Sequence, residues 1–199
     1  MTSDGVLALR HDNWRFATLV DGTFDKIYAP MSLAEFRSQK PASDLTTLTF
    51  EELILIMEDY PDLRIITDTK EVSLENAMVQ LDQIVEIVNR YDPALFQRIT
   101  PQFFSEEMYQ RIKENQYPFT SYIYTLYQSD DAPEDVVAFM KREGLTILTM
   151  AKERATGDFI SLLDQNGIHS CAHTIYEQAE LDSLANLGVD SFYTDYYLQ

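Results

Sequence analysis

An α/β fold of the closed (β/α)8 barrel type, with about six parallel strands present, is what this sequence predicts. Three observations carry it. Short β-branched or apolar runs alternate with stretches of helical periodicity along most of the chain, and parallel neighbours need crossovers that are normally helical. From residue 98 onward the runs start at 98, 121, 145, 168 and 191, a recurrence of about 23 residues that matches repeated βα units. An open doubly wound sheet could also hold six strands. It usually carries a glycine-rich phosphate loop after its first strand, and these six glycines form neither GxGxxG nor GxxxxGK[ST].

The chain opens on "TSDGVLALRHD" (2–12), which reads as a turn, then a short strand, then a His-Asp pair. Ser32 with Glu35, and Thr49 with Glu52, have capping-box spacing, so a helix is expected to start after each hydroxyl. "RIITDT" (64–69) is the first buried strand. A helix comes next, with Leu74, Ala77, Met78, Leu81, Ile84, Val85 and Val88 on one face and Glu75, Gln80, Asp82, Gln83 and Glu86 elsewhere. "RITPQF" (98–103), "SYIYTL" (121–126), the run at 145–149, "IHSCAHT" (168–174) and "SFYTD" (191–195) supply five more strands. Pro61 and Pro118 stop helices, and Gly144 and Gly167 stand where helices commonly end in a left-handed residue. A closed barrel needs eight strands, so two are expected before residue 1, with the opening segment a partial strand attached to the tip of the second. Residues 1–199 are read as one partial barrel domain, since domains of this type often run this long.

Composition narrows the partners. A net charge of −18, from 15 Lys and Arg against 33 Asp and Glu, would repel nucleic-acid phosphates and anionic membranes. Nucleic acid is therefore not an expected partner, and no apolar stretch reaches the roughly 18 residues a membrane span requires. A lone cysteine, Cys171, forms no disulfide within the chain and suits a reducing compartment. A cytoplasmic location is expected, with room for an export signal upstream.

In such barrels the working residues lie at the C-terminal ends of strands. That rule selects Asp68 and Lys70, Gln102, Tyr124 and Gln128, Lys152, His173 and Asp195. A carboxylate and an amine two positions apart suit a divalent cation beside an anion, because Mg²⁺ and Ca²⁺ take oxygen ligands and lysine offers a compact positive charge. An ion pair or a cap would use the same two residues. His11 and Asp12 can be an ordinary strand-end pair, and His173 on an apolar strand can be a hydrogen-bonded core residue. His169 begins its strand and belongs to the stability end. Cys171, Met57, Met78 and Met108 read as core filling, Trp14 as core or rim. No GxSxG, HExxH or zinc-type cysteine pair is present.

Six ordered blocks, "TSDGVLALRHD" (2–12), "LTFEELILIMEDYPDLRIITDTK" (48–70), "ITPQFFSEEMY" (99–109), "YTLYQ" (124–128), "LTMAKERAT" (148–156) and "GVDSFYTDYY" (188–197), span nearly the whole chain. Together they resemble the glycerophosphodiester phosphodiesterase family, whose fold is a (β/α)8 barrel. The resemblance implies metal-dependent hydrolysis of glycerophosphodiesters to glycerol 3-phosphate and an alcohol, with Mg²⁺ or Ca²⁺ as cofactor. It carries over His11 as the second catalytic histidine, Asp68 at the position of the third metal carboxylate and Lys70 as its basic neighbour. Gln102 and His173 are added as substrate-side candidates. The family more often has glutamate where Asp68 stands. Its HRG- or HGG-type histidine and its second-strand ExD pair are expected upstream of residue 1, so this chain alone is expected to be inactive or weak. Two rival readings are a noncatalytic barrel remnant acting as an interaction module, and Met1 as an internal methionine of a complete enzyme.

Overall fold

The computed structural model describes residues 1–10, 15–18, 24–27, 31–38, 46–69, 73–127 and 129–195. His11, Asp12, Trp14, Lys70 and Gln128 lie outside them. The chain divides into two compact units, the first made of Met1–Ile65 and Thr69–Ile99, the second of Ile66–Asp68 and Thr100–Gln199.

The first unit opens with the expected turn. Thr2 and Val6 close it through both backbone and the Thr2 hydroxyl, and Gly5 takes φ 81°, a left-handed value that glycine adopts without strain. Residues 7–9 make one bridge and no longer strand. Leu9 N donates to Leu48 O and Phe50 N to Leu7 O, a single antiparallel bridge at Ala8 and Thr49. The chain meets the entry of a helix here, and a helix entry offers only two or three extended residues to pair with. Two short strands that the sequence pattern did not assign, β1 (Arg15–Thr18) and β2 (Phe24–Ile27), pair antiparallel from Arg15 opposite Ile27 to Thr18 opposite Phe24. The Asp21-Gly22 dipeptide between β-branched and aromatic residues was the available hairpin signal.

Helices α1 (Leu33–Ser38) and α2 (Phe50–Asp59) start at the two capping boxes. At α1 the Ser32 N–H donates to Glu35 Oε2 at 2.8 Å, and the Glu35 N–H to Ser32 Oγ at 3.2 Å. At α2 the Thr49 N–H donates to Glu52 Oε2 at 2.8 Å, and Thr49 Oγ1 accepts the reciprocal bond from Glu52 N at 3.2 Å. These bonds, led by the Thr49 backbone N–H, hold the Glu52 carboxyl below its ordinary value. A depressed carboxyl stabilises the fold above its unfolded-state value, and that contribution is lost as pH falls through the folded one. Thr49→Ala is expected to cost about 1 kcal/mol at neutral pH, and less under acid conditions where Glu52 is already protonated. Urea denaturation of both proteins across that range checks it.

Helix α3 (Leu74–Tyr91) is capped by Ser73 Oγ and buries Ala77, Met78, Leu81, Ile84 and Val88, the face read from its periodicity. Gln80, placed outside that face by the pattern, is buried as well. Glu51 on α2 accepts from both Arg90 and Tyr91 on α3, at 2.9 and 2.8 Å. A 3-10 turn, Pro93–Arg98, ends in an arginine whose guanidinium donates to the Met57, Tyr60, Pro61 and Leu63 carbonyls at 2.9 to 3.3 Å. Those carbonyls belong to the last turn of α2 and the segment after it, where backbone acceptors have no helical partner.

The predicted barrel-type alternation is present as a six-stranded parallel sheet. In spatial and chain order its strands are β3 (Ile65–Thr67), β4 (Ile99–Phe103), β5 (Ile123–Thr125), β6 (Ile147–Ala151), β7 (His169–Ile175) and β8 (Ser191–Thr194). In the second unit α4 (Glu106–Asn115), α5 (Pro133–Glu143), α6 (Gly157–Gln165) and α7 (Gln178–Leu187) alternate with β4 through β8. Helix α5 ends at Gly144 with φ 70°, where the N–H reaches back to Lys141 O. Gly188 ends α7 at φ 101°, and a Cβ there would also stand 3.3 Å from Ile160 Cγ2.

Lateral register decides which side chains share a face. Gln102 pairs with Ile123, Thr125 with Thr149, Thr149 with Cys171, Cys171 with Ser191, and Ala151 with His173. Registered residues of parallel strands point the same way, and so do residues two apart. One face therefore carries Gln102, Thr125, Thr149, Cys171, His173 and Tyr193. The other carries Phe103, Tyr124, Leu148 and Met150, all buried. Phe103 stacks on Tyr124 at 5.0 Å between ring centroids, and Phe139 of α5 meets Tyr124 edge-on at 5.2 Å.

Candidate functional site

Of the sequence-selected residues, Asp68, Gln102, Lys152, His173 and Asp195 lie on the polar face or at the C-terminal strand ends of the second unit. Asp68 comes just after β3 and is exposed. Gln102, the fourth residue of β4, is buried at 7% exposure. His173 is half-buried near the end of β7, in a stretch where the pairing with β8 shifts register between Ala172 and Ile175. Gln102 and His173 share a face but stand three strands apart, about 14 Å along the sheet at ~4.8 Å per strand. Asp195 is exposed just past β8. Lys152 opens a 3-10 turn, Lys152–Arg154, after β6 and pairs with Glu180 of α7 at 2.5 Å. That hydrogen bond, then the Glu180 charge, holds the Lys152 ammonium above its usual value.

Tyr124 departs from the strand-end reading. The rule counted position along the strand, but the pleat turns this side chain to the opposite face, into the Phe103–Phe139 cluster. Burial raises its phenol. It is a packing residue.

Two features were missed by sequence reasoning. Arg154 donates to the Leu126, Ser129 and Asp131 carbonyls and so gathers the segment after β5. No periodicity marks such a residue, because its partners are backbone atoms of a loop. Tyr193 is the second. Counting back two residues from Asp195 in "SFYTD" would have found it on the inward alternation of β8. Its ring stacks with that of His173, centroids 6.1 Å apart and planes 25° from parallel. Burial raises the phenol, and Asp68 is among the charges that act on it.

Thr149 Oγ1 and Tyr193 Oη are sealed from solvent and neither makes a well-aligned hydrogen bond. The neighbouring Cys171 thiol is pushed up to about 12, chiefly by burial. A thiol so protonated and so covered is a poor nucleophile. Native protein at pH 8 is therefore expected to resist a disulfide-type thiol reagent over the time in which urea-unfolded protein reacts with one equivalent, read by absorbance.

Among the described residues, no group of three or more His, Cys, Asp and Glu side chains comes together to hold a metal ion. One carboxylate at the end of β3 does not make a cation site by itself, since Mg²⁺ and Ca²⁺ take six or more oxygen ligands and usually more than one protein carboxylate.

By its six parallel strands with helices between them, the protein falls among barrel-type α/β proteins. The model of the glycerophosphoryl diester phosphodiesterase family matches residues 1–198, and the chain belongs to that family of phosphoric diester hydrolases. Among solved structures it is similar to an Oleispira antarctica phosphodiesterase in complex with the product sn-glycerol-3-phosphate, at 18% identity and TM-score 0.72, covering 98% of this chain and 78% of that one. It is also similar to a glycerophosphodiester phosphodiesterase from Thermotoga maritima, at 18% identity, TM-score 0.67 and the same coverages. One from Agrobacterium tumefaciens str. C58 matches at 14% identity and TM-score 0.62, again covering 98% and 78%. No curated protein matches the chain. Among the described residues, no helix is long and apolar enough to cross a membrane.

Proposed function

We propose that this chain acts on glycerophosphodiesters, phospholipid head groups freed of their acyl chains, releasing glycerol 3-phosphate and an alcohol, and that by itself it does so weakly. The family match over residues 1–198 carries the reading. The sn-glycerol-3-phosphate bound to the Oleispira antarctica phosphodiesterase supports a small phosphorylated polyol as its ligand.

In this reading His11 transfers a proton between the attacking and leaving oxygens, the general acid–base work that histidine side chains do most often. Lys70 offers a localised positive charge to the phosphate. Asp68 supplies a carboxylate, one methylene shorter than the glutamate more usual in the family. Gln102 and His173 supply neutral hydrogen-bonding groups on the polar face, where donors and acceptors can orient a glycerol or phosphate oxygen. When bound, a divalent cation such as Mg²⁺ or Ca²⁺ would offset phosphate charge. Weak turnover is expected because the family resemblance assigns one histidine, His11, and one carboxylate, Asp68, to the chemistry among these residues. The proposed setting is the cytoplasm, in keeping with the buried, unpaired thiol of Cys171.

The test is release of glycerol 3-phosphate from glycerophosphocholine with Mg²⁺ or Ca²⁺ present. Slow release that His11→Ala lowers about tenfold or more supports the reading. Ready turnover abolished by the same substitution overturns the weakness, and no release together with no binding of glycerol 3-phosphate overturns the function.

A further inference from the structure

Lys152, Glu153 and Arg154 form the 3-10 turn that follows β6, and successive side chains of such a turn stand about 120° apart. The two basic side chains therefore leave it in different directions. Both are half-buried, while Glu153 between them is exposed. Arg154 reaches back to the segment after β5, where Nη1 donates to the Leu126 and Ser129 carbonyls and Nη2 to Asp131 O at 2.9 Å. Lys152 reaches forward to α7, pairing with Glu180 Oε1 at 2.5 Å and standing 5.9 Å from the centroid of the Tyr176 ring just after β7. One short turn holds both of its neighbours.

The turn is itself well fixed. Ala151, which leads into it, is registered with His173 on β7, and Ala155 after it is buried. The Thr156 N–H donates to Arg154 O at 2.8 Å, and the Thr156 hydroxyl then caps α6. Its neighbours have less to hold them. Neither α5, entered at Ala132, nor α7, entered at Glu177, has the side-chain cap that commonly fixes a helix entry. Hydrogen bonds from a charged donor are the stronger kind, and a planar guanidinium can serve several carbonyls at once. Segments that follow the strands are also where barrel-type proteins keep their sites.

We propose that Lys152 and Arg154 are positioning residues: from one turn they brace the segments after β5 and β7, on either side of β6, against which a glycerophosphodiester is held. The substrate part rests on the function proposed above; the bracing part does not. Neither residue has to touch the substrate. His11, Asp68 and Lys70, which the proposed function assigns to chemistry, belong to other segments of the chain, so loosening the brace weakens binding and spares the chemical step.

Hydrogen exchange of the full chain, followed by mass spectrometry, reads the bracing. Arg154→Met should speed exchange in residues 129–132 about tenfold or more and leave 176–180 within about twofold, and Lys152→Met should do the reverse. Glu180→Gln breaks the lysine's pair from the helix side, so it should match Lys152→Met and takes its place should that variant fail to fold. Arg154→Lys should keep only part of the protection, since one ammonium cannot reach all the carbonyls that Arg154 serves. Should Arg154→Met fail to fold, Arg154→Lys must show the same local response in smaller measure or the proposal falls.

Release of glycerol 3-phosphate from glycerophosphocholine, with Mg²⁺ or Ca²⁺ present, reads the rest. Arg154→Met and Lys152→Met should each raise KM about three- to tenfold, the cost of ordering a loosened segment on binding, with kcat kept within about twofold. A loss of folded protein would instead lower kcat and leave KM. Exchange that rises in both segments for either variant, or in neither, overturns the brace. Unmoved KM in variants whose exchange responds overturns the positioning role. Exchange as expected in a protein without turnover upholds the brace and overturns the function it was to serve.

Discussion

Phe103→Ala is expected to lower the unfolding free energy by about 3–5 kcal/mol, the range for a fully buried aromatic cut back to a methyl. Phe103 is 0% exposed and touches three rings at once: Tyr124 stacked at 5.0 Å, Tyr109 tilted at 4.8 Å, and Phe139 edge-on at 6.3 Å. Their removal opens a cavity that strands and helix on either side cannot close, because β5 is held by registered pairing to β4 and β6. A loss of about 6–20 °C in Tm is expected for a chain of this length, and differential scanning calorimetry measures it. Phe103→Leu, which keeps most of the volume, should cost less than half as much. Equal losses for both substitutions would show that the ring stack, and not the filled space, holds the cluster.

Arg98→Met is the second large effect, expected at about 2–3 kcal/mol. The guanidinium serves four carbonyls around the end of α2, and hydrogen bonds from a charged donor contribute more than neutral ones. Methionine preserves much of the stem but donates nothing. Arg98→Lys should recover only part of the loss, since an ammonium on a flexible stem cannot fan out to four acceptors in one plane. Chemical denaturation of the three proteins, with unchanged slopes against denaturant, checks both statements.

These two residues also mark what was legible in the chain without the fold. All six strands of the parallel sheet coincide with apolar or β-branched runs in the chain, the residue types that pack well on a pleated, partly buried surface. The capping boxes at Ser32 and Thr49 and the left-handed glycines at 144 and 167 were readable because their chemistry is complete within four residues. Arg98 was not, since its acceptors lie 35 to 41 residues upstream. The strand-end rule selected Tyr124 together with Asp68, Gln102 and His173, because it measures distance along a strand and says nothing of which face a side chain takes.

By itself the sequence determined the order of the six parallel strands and the helices between them, the parallel pairing that this order demands, the starts of α1 and α2, the stops of α2, α4, α5 and α6, and the family to which the chain belongs. Each depends on neighbours within a few residues or on spacing along the chain. Only the tertiary structure decided that Leu7–Leu9 meet the entry of α2, that Tyr124 faces the helices, and that Tyr193 stands against His173. Those outcomes depend on lateral register between distant strands, where a shift of one residue exchanges the two faces of a sheet.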